Sequence, residues 1–134
     1  MRRIVFIIIL ILAGLYCQAQ IFIGKDKEAV KEMMKEKREF ALDESSKNTV
    51  YNTLKYVDNR GTRTYLFLFD DNDICTLSKL MCDYSYLKRI TREMDEKYSS
   101  DEEGKWIHSE EGKNYTITLK KGDWFFSVST REAE

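Results

Sequence analysis

Tyr65-Leu66-Phe67-Leu68-Phe69-Asp70-Asp71-Asn72-Asp73-Ile74 and Tyr115-Thr116-Ile117-Thr118-Leu119-Lys120-Lys121-Gly122-Asp123-Trp124 lie over one another without a gap. The leading tyrosine, the apolar alternation and the aspartate before the second strand all coincide. Apolar residues at every second position mark a strand with one buried face, and Asp, Asn and Gly between two such runs mark a hairpin. Two amphipathic hairpins share this pattern by construction, so coincidence is one reading. The other is an internal repeat.

Working outward favours the repeat. Asp26 is a suitable N-cap for a helix over Lys27–Lys37, with Ala29, Val30, Met33 and Met34 on one face. Asp83 is the corresponding cap for Tyr84–Tyr98, where Leu87, Ile90 and Met94 form a stripe. After the first helix come strand-like runs at Thr49–Val57, Thr62–Phe69 and Ile74–Leu80. After the second come Lys105–Ser109, Asn114–Lys120 and Trp124–Thr130. The fold expected is α+β. A duplicated α-β-β-β unit, about 24–80 and 83–130, would build one antiparallel sheet with two helices packed on one face.

The N-terminus sets the compartment. Met1-Arg2-Arg3 is followed by an apolar run, Ile4–Leu15, and then by Tyr16-Cys17-Gln18-Ala19-Gln20. This order predicts a signal peptide over residues 1–19 and a single mature domain over 20–134. The run is too short to span a bilayer, which takes about 20 apolar residues. Cys17 opens the alternative of lipid anchoring, but it follows the bulky Tyr16 where a small residue normally precedes a lipid-acceptor cysteine. The expected product is exported, periplasmic or extracellular, with no stable membrane insertion after cleavage. Losing Arg2 and Arg3 takes the formal charge from −1 to −3. No net basic character is left to bind nucleic acid.

Cys75 and Cys82 remain after cleavage, and an even pair in an oxidising compartment makes a disulfide possible. The alternative is two small buried thiols. Other chemistry is sparse. His108 is the only histidine, so a metal site or a nucleophile–base pair has little to build on. Asp70-Asp71-Asn72-Asp73 places Ile74 or Cys75 at the third ligand position of a calcium loop and therefore reads as a hairpin turn. No glycine-rich phosphate loop is present, and Asp101-Glu102-Glu103 and Glu110-Glu111 define no cleft. No catalytic residue, metal or cofactor is indicated, and a non-enzymatic role is expected.

Assigning faces from tight hairpin registers puts Leu54, Tyr65, Phe67, Phe69, Ile74, Ile107, Tyr115, Ile117, Leu119, Trp124, Phe126 and Val128 beneath the helices. The other face then carries Tyr51, Val57, Leu66, Leu68, Cys75, Leu77, Trp106, His108 and Phe125, with Thr64, Thr116, Thr118, Ser127 and Ser129 between them. A mixed apolar and aromatic sheet face is a candidate recognition surface. Tyr51, Leu66, Leu68, Trp106 and Phe125 are its expected binding residues. Alternatively, Ile21-Phe22-Ile23 or a second copy of the chain covers this face.

Ile23-Gly24-Lys25-Asp26-Lys27-Glu28-Ala29-Val30 resembles the glycine, polar cap and buried valine that open the first helix of β-lactamase-inhibitor-like proteins. The wider layout resembles the tandem helix-plus-sheet repeats of that group and related small secreted bacterial domains. The Gly-x-Pro found after this helix in related outer-membrane assembly lipoproteins is absent, as the chain has no proline. The resemblance implies a fold and a habit of binding proteins. Together these readings predict an exported protein-binding module whose partner is another exported protein or itself. The alternative is a homodimeric or envelope-associated structural component.

Overall fold

The computed structural model describes residues 21–45 and 51–134. The predicted signal peptide and Cys17 therefore lie outside the described residues. Eight strands form one antiparallel sheet: β1 (Phe40–Leu42), β2 (Thr53–Asp58), β3 (Arg63–Phe69), β4 (Cys75–Asp83), β5 (Ser99–Glu102), β6 (Lys105–Glu110), β7 (Lys113–Lys121) and β8 (Phe125–Glu132). Their spatial order is β1-β2-β3-β4-β8-β7-β6-β5. Two short helices, α1 (Lys27–Lys35) and α2 (Leu87–Lys97), accompany it.

This corrects the expected fold. The chain does not form a duplicated helix-plus-three-strand unit with the helices as a second layer. Most of its structure is the single eight-stranded sheet, joined through β4 and β8. Two strands were missed, β1 and β5. They are the sheet's edges, three and four residues long. Ser99-Ser100-Asp101-Glu102 is exposed throughout and carries no apolar alternation, so only backbone pairing to β6 makes it a strand. The aligned hairpins also turn differently. In the first, the Asp70 carboxylate accepts from Asn72 N at 2.9 Å and Ile74 N at 3.0 Å, and the register shifts at Phe69. The second closes through Gly122, whose missing Cβ would lie 2.8 Å from the Phe125 carbonyl oxygen.

Both helices are tied in by their caps and apolar stripes. The Asp26 carboxylate accepts from Ala29 N at 2.8 Å, and Asp83 caps a 3₁₀ turn, Tyr84–Tyr86, that leads into α2. Val30 and Met34 of α1 join Leu54, Tyr56, Phe67 and Phe69 in one core cluster. Ile90 of α2 joins Cys82, Trp106, Ile117, Phe126 and Val128 in another. Ile21, Phe22 and Ile23 are all buried in the first cluster. Gly24 N donates to Cys75 O and Cys75 N to Lys25 O, each at 2.8 Å, which holds this segment along the start of β4. The segment packs with Phe67 and Tyr65, so it does not cross the opposite face of the sheet.

Of the two readings for Cys75 and Cys82, a disulfide and a pair of buried thiols, the structure has the second. Cys75 and Cys82 are free, buried thiols. They sit seven positions apart in the same strand. At roughly 3.3 Å per residue their Cα atoms are about 23 Å apart, where a bridge needs less than about 7 Å. Burial pushes the Cys75 thiol up to about 11 and the Cys82 thiol up to about 12.

Candidate binding face

Residues directly opposite one another in antiparallel strands share a face. One set of rows is Leu54, Phe67, Ser78, Thr130, Ile117, Trp106 and Tyr56, Tyr65, Leu80, Val128, Leu119. These residues supply much of the two core clusters, which Val30 and Met34 of α1 and Ile90 of α2 join. The opposite face carries Lys55, Leu66, Lys79, Ser129, Thr118 and Lys105 in a line across six strands. Beside it run Val57, Thr64, Met81, Ser127 and Lys120, and on the other side Thr53, Leu68 and Leu77. Neither helix nor residues 21–23 contribute to this face.

Three of the five predicted binding residues, Leu66, Leu68 and Phe125, lie on the open side. Leu66 and Leu68 sit on it, half-buried, in the middle of β3. Phe125 opens β8 there and is 46% exposed. Tyr51 lies just before β2 and is 64% exposed. The prediction for Trp106 was wrong. It pairs with Ile117, is buried in the core, and donates its indole N–H to Asp95 Oδ1 at 2.9 Å. Trp106 and Ile107 are both apolar and adjacent, so the alternation fits either register. A one-residue slip then moves the whole strand to the wrong face. Cys75 and Trp124 were also misplaced. Cys75 is in the core, whereas Trp124 stands 87% exposed in the β7–β8 turn.

The sequence reading missed the face's electrostatics. Lys55, Lys79, Lys105, Lys120 and Arg131 all project from it, as the registers show. Lys55 pairs with Asp43 at 3.5 Å and Lys105 with Glu102 at 2.7 Å, both at its rims. Among the described residues no carboxylate lies within 4 Å of Lys79, Lys120 or Arg131. The period-two positions of β4, β7 and β8 held that signal once their registers were known. A depression of about 250 Å³ next to Phe125 is lined by Thr64 and Met81. Met81 was missed because β4 runs on to Asp83, three residues beyond the predicted end.

Elsewhere, reactive chemistry is weakly provided. His108 meets the Tyr98 ring edge-on at 5.3 Å and lies near-parallel to Tyr115 at 6.4 Å, with Nε2 3.5 Å from Glu110 Oε2. The described residues contain no group of three or more side chains able to hold a metal ion. No helix among them is long and apolar enough to cross a membrane. The most elaborate polar site is Asp58, whose carboxylate is buried. It accepts from Thr62 N at 2.8 Å, Arg63 N at 3.1 Å and Arg63 Nε at 3.1 Å. Burial disfavours its charge, but these donors prevail and hold it below the usual carboxylate range. Asp58 thus fixes the β2–β3 turn and is a structural residue. Comparison with known protein families, with curated proteins and with solved structures finds no match to this chain.

Proposed function

We propose that the mature chain is an exported, non-enzymatic module that binds another exported protein through the open face of its sheet. One observation carries this reading. Leu66, Leu68, Leu77, Met81 and Phe125 lie among lysines on a face that no described element covers. Apolar side chains framed by charge are what a protein-binding patch presents. Lys79 stands near the middle of the face with no partner carboxylate among the described residues, so the partner surface should be acidic. The same charge weakens the homodimer alternative, because stacking this face on itself would set lysine rows against each other.

Export is supported by the segment before Ile21. Ile21, Phe22 and Ile23, just after the expected cleavage point, are all buried in the first core cluster. The test is affinity capture from the native host's envelope and secreted fractions, with Gln20–Glu134 as bait beside its Leu66→Asp/Leu68→Asp form. A protein retained by the first bait and lost with the second supports the reading. Equal recovery by both baits, with both folded, would refute it.

A further inference from the structure

On the helix side of the sheet, away from the proposed binding face, a cleft of about 600 Å³ lies between the end of α1 and α2. Its volume falls within the range of small-molecule sites, about 300–1,000 Å³. Phe22, Tyr65, Leu80, Ile90 and Met94 form its floor, while polar and charged groups make up most of its exposed lining. Four cations border it. Arg63 is already committed: its Nε donates to Asp58 at 3.1 Å, Glu39 lies 3.9 Å away, and its guanidinium stacks at 5.0 Å on Phe40 and 4.8 Å on Tyr86.

Lys37, Arg89 and Lys97 are less committed, although the Arg89 guanidinium also stacks on Tyr86, at 4.8 Å. Among the described residues none has a carboxylate within 4 Å. Lys37 Nζ sits 5.9 Å over the Tyr65 ring. Burial pushes its pKa down, and Lys97 and Arg63 push the same way, while Glu39 and Glu93 oppose them. Lys37 is therefore a partly desolvated ammonium, and the cleft's lining carries four cations against the carboxylates of Glu39 and Glu93. An incoming anion would offset that excess of positive charge at the same time as an apolar body covers the floor.

We propose that this cleft binds a single-chain amphiphile with an anionic head. Its tail lies along Tyr65, Leu80 and Met94, and its head meets Lys37 with Arg89 or Lys97. The probe is laurate below its micellar concentration, titrated into Gln20–Glu134 and followed by calorimetry and amide NMR. Saturable one-to-one binding is expected, with shifts centred on Tyr65, Ile90 and Met94. Lys37→Glu/Arg89→Glu should weaken it at least tenfold with Tm unchanged, Lys37→Arg should retain it, and dodecanol should bind at least tenfold more weakly. The proposal fails if laurate does not saturate, if dodecanol binds equally well, or if the shifts fall on Leu66 and Met81. It fails equally if the chain sediments with phosphatidylglycerol vesicles but takes up no monomeric laurate. Loss of partner capture in Leu66→Asp/Leu68→Asp leaves it untouched, because those residues are on the other side of the sheet.

Discussion

The two faces of the sheet are made from alternate residues of the same strands, yet they solve different problems. Phe67 is fully buried in a cluster with Val30 and Met34, while Leu68, its neighbour in the chain, faces out among lysines. Phe126 is fully buried against Cys82, while Phe125 is half exposed. Within the core on the helix side, buried polar groups are satisfied: Asp58 has four hydrogen bonds and Trp106 has Asp95. On the open side Lys79, Lys120 and Arg131 have no such partners among the described residues. The contrast separates residues that hold the fold from residues left over for another molecule.

The largest stability effects should come from the buried face. Phe126→Ala should cost about 3–5 kcal/mol, the range for emptying a buried aromatic position, measured by urea unfolding. Trp106→Ala should fall in the same range. That would separate it from Phe125→Ala, which should cost well under half as much. Equal losses at 106 and 125 would break the face assignment.

Asp58→Ala should cost about 3 kcal/mol, because it strands the Thr62 and Arg63 donors and leaves the Arg63 charge without its buried partner. Its pH dependence has a definite sign. The folded pKa is lowered, so the stabilisation is complete above the ordinary carboxylate value, near pH 4, and is lost as pH falls through the folded value. Asp58→Asn should flatten stability below pH 4, as measured by acid titration of the unfolding free energy.

The thiols give a smaller and opposite signal at high pH. With folded values of about 11 and 12, Cys75 and Cys82 stay protonated in the fold after an unfolded chain has begun to ionise. Stability should therefore decline as pH rises from about 8.5, and less steeply in Cys75→Ala. A reductant should leave Tm unchanged, and denaturation should expose both thiols to a colorimetric reagent. A Tm drop on reduction would contradict the strand geometry. The smallest stability effect belongs to Lys79→Glu, within about 0.5 kcal/mol as for other surface substitutions. It should nevertheless weaken partner capture at least tenfold.

The strands that were legible from sequence are those where burial and alternation agree. Tyr65-Leu66-Phe67-Leu68-Phe69 has large apolar residues on both faces, but the aromatics mark the core side. The N-cap at Asp26 was legible because the cap and the Val30/Met34 stripe reinforce each other. β1 and β5 were not, since edge strands need no buried face. β6 was misregistered because Trp106 and Ile107 compete, and only its pairing with β7 decides between them. Leu66, Leu68 and Phe125 could be placed on the open face from period two alone. The lysine line could not, because it becomes visible only when the registers of six strands are fixed together.

Phe67 and Leu68 allow the most direct test. They are consecutive in β3, both are large and apolar, and the account assigns them opposite roles. Phe67→Ala and Leu68→Ala should be compared by urea unfolding and by capture of the same partner. The account predicts a loss of about 3–5 kcal/mol for the first. For the second it predicts about 1 kcal/mol or less, together with a tenfold loss of capture. Similar destabilisation by both, with capture following stability alone, would contradict it.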